Sequence, residues 1–347
     1  MHGVNFKIPE LLSLFPEEIQ ALLPDEPSYR AKQIFRWLHK GVRSFEEMTN
    51  LPTALREKMA GVGALTVPEE ARVQTGRDGT VKILWRFSDG QGVESVLMRH
   101  RHGLSLCLST QAGCRQGCLF CASAVGGLAR NLTAAEMMAQ VLFTQKKAGA
   151  ALTHVVLMGM GEPLDNFDQV IRFLQLLNHP DGQGMSLRHV SLSTCGLLDE
   201  IERLAALRLP VTLSVSLHAP DDETRSRLMP VNLKSGVEPL MKACRAYFKE
   251  TGRRISYEYT LLDGINDTPE KAHQLGRLLR GMPAHVNLIT YNPAGRDGMM
   301  RPSRPENARA FQEITASYGP SVTMRRSLGG DIDAACGQLR KKSKISD

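Results

Sequence analysis

Six short runs of β-branched and apolar residues recur from residue 104 onward, at 104 to 109, 154 to 159 ("HVVLMG"), 188 to 194 ("RHVSLST"), 210 to 217 ("PVTLSVSL"), 255 to 262 ("ISYEYTLL") and 284 to 290 ("AHVNLIT"). Segments with helical periodicity lie between them, among them 133 to 148, 167 to 178 and 268 to 280. Strands that alternate with helices pair in parallel, because a parallel neighbour is reached only through a crossover. The spacing predicts an open or incomplete barrel or a doubly wound sheet, and in both the chemistry belongs in loops after strand C-termini. Ahead of this region, residues 4 to 63 carry helical periodicity, with Ala31, Ile34, Phe35 and Leu38 on one stripe between Pro27 and Gly41. The stretch "VKILWRFSDGQGVESVLMRH" reads as a hairpin turning at Asp89-Gly90.

The first strand opens onto "CLSTQAGCRQGCLFCAS", where Cys114, Cys118 and Cys121 form C-x3-C-x2-C and Cys107 stands seven residues upstream. Seven cysteines in a chain without a signal segment argue for metal or redox chemistry over a disulfide framework. An electron-transfer [4Fe-4S] cluster takes a thiolate on each iron, so three thiolates leave one iron open. This spacing, with Phe120 before the last cysteine, resembles the radical S-adenosylmethionine signature, in which the cofactor's amino and carboxylate groups fill the open iron. The other reading is a structural zinc site, with Cys107, His100 or His102 as fourth ligand. After the second strand, "LMGMGEPLDN" favours the cluster: Gly159 and Gly161 allow close backbone approach to a ligand, and Glu162 can contact a cationic amine. Later strand ends add Ser193, then Ser216, Leu217 and His218, then Asn292.

No stretch approaches eighteen uninterrupted apolar residues, so a membrane span is excluded and a cytoplasmic location is expected. Lys and Arg number 43 against 36 Asp and Glu, a net charge of +7, with clusters at 98 to 102, 252 to 254, 324 to 326 and 339 to 344. A polyanionic partner, nucleic acid first, suits that balance.

The motifs above, together with "SLSTCG", "SVSLHAPDDETRSRLMPVN", "YEYTLLDGIND" and "GGDIDAACGQL", resemble the RlmN family nearly end to end. The resemblance implies an α/β fold, a partial (β/α)6 radical S-adenosylmethionine barrel with a small N-terminal helical domain. It divides the chain into an RNA-binding helical domain plus β linker at 1–85, the core with its C-terminal cysteine loop at 86–340, and a basic tail at 341–347. It implies an enzyme that uses a [4Fe-4S] cluster and two S-adenosylmethionine molecules to methylate C2 of adenine in 23S ribosomal RNA and transfer RNA. Cys336 is the implied methyl carrier, Glu94 the implied base and Cys107 the thiol that resolves the protein–RNA link through a disulfide with Cys336. Gly161, Glu162, Ser193, Ser216, Leu217, His218 and Asn292 are the implied cofactor contacts. An electron donor such as flavodoxin is expected, and a monomer. Adenine C8 methylation of the Cfr type is the nearest alternative, whose members tend to carry alanine where Pro163 stands, and a zinc-stabilised RNA-binding protein without catalysis is the second. Cys244, at helical spacing with Leu240 and Tyr247, reads as core, and Cys195 is assigned no chemistry.

Overall fold

The computed structural model describes residues 8–293 and 300–339, so the basic tail at 341–347 lies outside the described residues. Three helices come first: α1 (Pro16–Leu22), α2 (Ser28–Leu38) and α3 (Thr53–Val62). The predicted apolar stripe of α2, Ala31, Ile34, Phe35 and Leu38, is buried.

Four antiparallel strands follow, β1 (Glu69–Thr75), β2 (Val81–Arg86), β3 (Gly92–His100) and β4 (Gly103–Cys107). The expected boundary after residue 85 falls inside β2, whose whole length pairs with β3. A short hairpin, β5 (Gln111–Gly113) with β6 (Leu128–Asn131), then closes off the cysteine loop. The remaining chain alternates: α4 (Ala134–Ala148), β7 (His154–Leu157), α5 (Phe167–Asn178), β8 (Val190–Thr194), α6 (Leu198–Ala206) and β9 (Thr212–Ser216). Helices α7 (Asp222–Leu228) and α8 (Val237–Thr251) lead to β10 (Ile255–Leu261), α9 (Pro269–Leu279), β11 (Ala284–Thr290), α10 (Pro305–Ala316) and β12 (Ser321–Arg325).

Strand order settles which architecture this is. From β4 the parallel strands run 4-7-8-9-10-11-12, each beside its successor, with no reversal. A doubly wound sheet needs a switch point; a monotonic order with right-handed crossovers winds one way, as a barrel does. Six strand–helix units are present, from β4 to α10, and β12 extends the sheet beyond them. The result is an open (β/α)6 barrel. Strands β1 and β12 are its edges. Among the described residues, no helix is long and apolar enough to cross a membrane.

Helix α4 starts at a capping box, Thr133 with Glu136, and is buried on every face through Thr144. An amphipathic helix on a barrel exterior would leave one face wet; here residues of the N-terminal unit share a core with it. Arg172 of α5 donates to the Ser13 carbonyl at 2.6 Å, and Gln183 to the His39 carbonyl at 2.7 Å. His39 itself is buried against Phe35, with ring centroids 4.2 Å apart. Among the described residues neither of its ring nitrogens has a hydrogen-bond partner. Burial, assisted by His179, holds its pKa down at about 4, so the native ring is neutral. The unfolded chain therefore takes up this proton first as pH falls below 6.5, and the native state loses about 2 kcal/mol by pH 5. Denaturant titrations at pH 7 and pH 5 should show that loss in the parent and a smaller one in His39→Leu.

Candidate active site

The C-terminal ends of the parallel strands converge on a cavity. One wall is the cysteine loop, carrying Cys114, Cys118 and Cys121; facing it stand Glu162, Ser193, Ser216 and His218. The base of the loop is clamped by the β5–β6 hairpin, with the Cys114 amide donating to the Gly127 carbonyl at 3.2 Å. Its middle is tied to the barrel, where the Leu119 amide donates to the Leu228 carbonyl at 3.0 Å. Three thiols are thus held on irregular backbone at the barrel mouth.

Each facing group has an internal anchor. Glu162 accepts from the Leu164 amide at 3.1 Å and the Cys195 amide at 2.8 Å, and burial raises its pKa. The Thr194 hydroxyl and the Cys195 thiol also lie within its hydrogen-bonding reach, so a cationic ligand would join a carboxylate already held by its own loop. His218 adopts φ +56°, its Nδ1 accepts from the Thr260 amide at 2.9 Å, and its ring lies 4.6 Å from that of Phe120. Burial and then Arg225 push its pKa to about 3, so the ring is neutral; with Nδ1 accepting, the proton belongs on Nε2. The hydroxyls of Ser193 and Ser216 meet at 3.4 Å.

Two glycines do something other than what the motif suggested. A Cβ at residue 159 would stand 2.5 Å from the Leu108 carbonyl oxygen, and one at residue 161 would stand 2.6 Å from the Gln111 Cβ, at φ +104°. What approaches these glycines so closely is the segment leading into the cysteine loop. Gly161 still lines the cavity. Leu217 does not: its side chain is in the core, its amide donates to the Glu258 carbonyl and its carbonyl accepts from Arg225.

A second cavity of about 500 Å³ adjoins the first, lined by Cys107, Asn292 and the basic residues Arg99, Arg101 and Arg326. That volume is in the range that takes small organic ligands. Two of the predicted basic clusters, 98 to 102 and 324 to 326, meet here. The cluster at 252 to 254 lines neither cavity; it lies just ahead of β10. Cys336 lines both cavities. It is exposed at their junction but surrounded by protein, and that surrounding raises its pKa, with Arg325 opposing. Burial, then the neighbouring Cys336, pushes the Cys107 thiol up to about 12. All seven cysteines are free thiols. Glu94 lines neither cavity; it is buried on β3, 3.4 Å from Lys82.

Comparison with known proteins decides the family. A model of the radical SAM superfamily matches residues 108–275, and a model of the ribosomal RNA large subunit methyltransferase N-terminal domain matches residues 10–64. A probable dual-specificity RNA methyltransferase RlmN of Symbiobacterium thermophilum is 48% identical over 334 residues, covering 94% of this chain and 90% of that protein. Its counterpart in Pelotomaculum thermopropionicum is 51% identical, with 91% and 87% covered. The crystal structure of a radical SAM methyltransferase from Sphaerobacter thermophilus superposes with a TM-score of 0.91 at 42% identity, covering 95% of this chain and 99% of that one. The chain belongs to the RlmN family.

As an RlmN-family methyltransferase it uses a [4Fe-4S] cluster and S-adenosylmethionine. The donor set fits that pair. Among the described residues no three His, Cys, Asp or Glu side chains converge as ligands of a single ion do. All three loop thiols line one cavity together with the buried carboxylate of Glu162 and the hydroxyls of Ser193 and Ser216, the donors that a three-thiolate cluster and an amino-acid cofactor call for.

Sequence reasoning missed three residues that RlmN-family chemistry would feel. Arg225 is fully buried and donates to the carbonyls of Cys195, Ser216 and Leu217 and to Asn232 Oδ1, tying the β8 and β9 loops together. Glu258 lines the thiol cavity, accepts from Asn287 at 2.8 Å and sits 3.5 Å from Arg325, which lines both cavities. Arg225 sits in a helix beside Arg227, and β12 was not foreseen, so no local signal separated these residues from surface charge.

Proposed function

We propose that this protein methylates C2 of adenine in 23S ribosomal RNA and in transfer RNA, carrying the methyl group on Cys336. The observation that supports this reading most directly is the place of Cys336, which with its neighbour Gly337 borders both the cavity of the cluster thiols and the basic cavity. A methyl carrier must collect on one side and deliver on the other. Of the other thiols, only Cys121 borders both, and it is assigned to the cluster.

When bound, the cluster and S-adenosylmethionine supply an electrophilic methyl group and a carbon radical. Cys114, Cys118 and Cys121 hold the cluster; Gly161, Glu162, Ser193, Ser216 and His218 hold the cofactor, and Leu217 supports the backbone between the last two. In this reading Glu162 receives the cofactor amine, and His218 offers its Nε2–H. Cys336 takes the methyl on sulfur as its thiol gives up its proton. That methyl would lose one hydrogen atom to the carbon radical, its carbon would bond to C2, and the one electron left in excess would return to the cluster. The C2 proton passes to the Glu94 carboxylate. The Cys107 sulfur, having given up its proton, then bonds to the Cys336 sulfur as the Cys336 S–C bond breaks, in the geometry of thiol–disulfide exchange; the electron pair of that bond stays with the carbon, which takes a proton and becomes the methyl group on C2. Asn292 shares the basic cavity and holds Ser327 at 2.9 Å, so its place is on the side of the base.

We assign residues 10–64 to RNA contact, a flavodoxin-like protein to electron delivery, a monomer to the working form and the cytoplasm to its location. The Cfr-type alternative places the same cysteines on adenine C8. Mass spectrometry of nucleosides from RNA treated with the purified enzyme tests the choice: 2-methyladenosine is expected, and 8-methyladenosine as the product would overturn it.

A further inference from the structure

Two charges are buried side by side in a sheet that is otherwise apolar at that point. In the β2–β3 register, Lys82 faces Val96 and Leu84 faces Glu94; in the β3–β4 register, Val96 faces Cys107. Lys82, Glu94 and Cys107 therefore share one face, and Lys82 reaches Glu94 on the diagonal at 3.4 Å. The lysine is 4% exposed and the glutamate 1%. A buried ion pair returns little net stability, because desolvating both ions offsets their attraction. A second contact shows what else the lysine holds. Its Nζ donates to the Asp333 carbonyl at 3.0 Å. Asp333 lies between Gly329 and Cys336, in a loop that also docks on the β1–β2 turn: the Gly329 amide donates to Asp78 at 2.9 Å, and the Arg77 amide to Asp331 at 3.0 Å.

We propose that Lys82 is a positioning residue for the second half of the reaction: it holds the Glu94 carboxylate in place as acceptor of the C2 proton and ties it to the loop that brings Cys336. The inference rests on the reading of Glu94 as proton acceptor. Among the described residues, the titratable side chains that share this face with Glu94 are Lys82 from β2 and Cys107 from β4. The loop contributes the Asp333 carbonyl, the Ser109 hydroxyl donates to the Glu94 carbonyl at 2.5 Å, and the Met160 sulfur takes the Glu94 amide. The Cys107 thiol, pushed up to about 12, is neutral at working pH and adds no charge. In the transfer itself the proton moves from C2 to Glu94, and Lys82 remains an ammonium throughout.

The test compares Lys82→Met, Lys82→Arg and Glu94→Gln with the parent, as full-length, cluster-loaded protein reacted with RNA. The covalent protein–RNA adduct is quantified on denaturing gels, and its release is timed from pH 6 to pH 9. Adduct can form only after Cys336 has been methylated, so its accumulation also reports that the first half has run. Glu94→Gln should accumulate adduct at every pH. Lys82→Met should release it about 10- to 100-fold more slowly, at pH 7 and at pH 9 alike. Lys82→Arg should release it near the parent rate. Iron content and methylation of Cys336, which precede the adduct, should match the parent in both Lys82 variants, so that the loss is confined to release. If the methionine variant does not fold, Lys82→Gln carries the same expectations. Parent-like release in Lys82→Met while Glu94→Gln stalls would overturn the inference alone, as would Lys82→Arg as slow as Lys82→Met at every pH. Normal turnover by Glu94→Gln would overturn the assignment of Glu94 itself.

Discussion

Replacing Cys336 with alanine is expected to abolish methylated protein and methylated RNA together while leaving the iron content intact. The loop that carries Cys336 is held by main-chain contacts that alanine preserves. The Ala122 amide donates to the Gly337 carbonyl at 2.7 Å, and the Ser123 hydroxyl to the Leu339 carbonyl at 2.6 Å. These same contacts brace the cysteine loop, so its three thiols keep their places. Cys107→Ala should behave oppositely, because it removes only the thiol that attacks last. Intact-mass spectra should show no methyl on the Cys336→Ala chain, and denaturing gels should show RNA attached to Cys107→Ala and none attached to Cys336→Ala. Methylated RNA from Cys336→Ala would end the carrier assignment; normal turnover by Cys107→Ala would reduce that residue to a strand thiol.

The second large effect is expected at the cluster. Cys118→Ala should lose essentially all its iron and with it the cleavage of S-adenosylmethionine, since two thiolates cannot hold three irons of a cubane. The informative control is Cys195→Ala. Cys195 borders the same cavity and is buried, and its main-chain amide, which alanine keeps, donates to Glu162; alanine removes only the thiol's contact with that carboxylate. Iron and sulfide assays, with the visible absorption of the cluster, should separate the two variants. Full iron in Cys118→Ala, or loss of iron in Cys195→Ala, would require a different ligand set.

The barrel was legible because its central strands are rich in β-branched, aromatic and apolar residues, so "ISYEYTLL" and "AHVNLIT" announce themselves whatever their partners. The edges were not. Strand β12, "SVTMR", has no fully buried residue, and β1, "EEARVQT", is mostly polar; both pair on one side only. The strand order, which excludes a doubly wound sheet, is a non-local fact that no local pattern contains. The cysteine spacing and the glycine–glutamate motif pointed to one cavity, because chemistry written into a single loop stays together when that loop folds. Gly159 and Gly161 were legible as places of close approach, but not as to what approaches: Leu108 and Gln111 are some fifty residues away in sequence. Lys82 carried no signal at all. In a hairpin, a lysine is ordinary until a loop from the other end of the chain closes over it.

That closure has a consequence for how the protein comes into being. The bonds from Gly329 to Asp78 and from Lys82 to Asp333 each span 251 residues of sequence, so the segment bearing the methyl carrier lands on a turn synthesised long before it. Contacts this distant are made after local structure has formed, once the ends they join have been brought near. During synthesis the thiols of the cysteine loop emerge first and the carrier only after all twelve strands. A ribosome-bound or interrupted chain that stops before residue 329 has the reactive centre's metal-binding half without the sulfur that accepts the methyl group. Completion of the polypeptide is thereby a condition of reactivity, built into the order in which the chain is made.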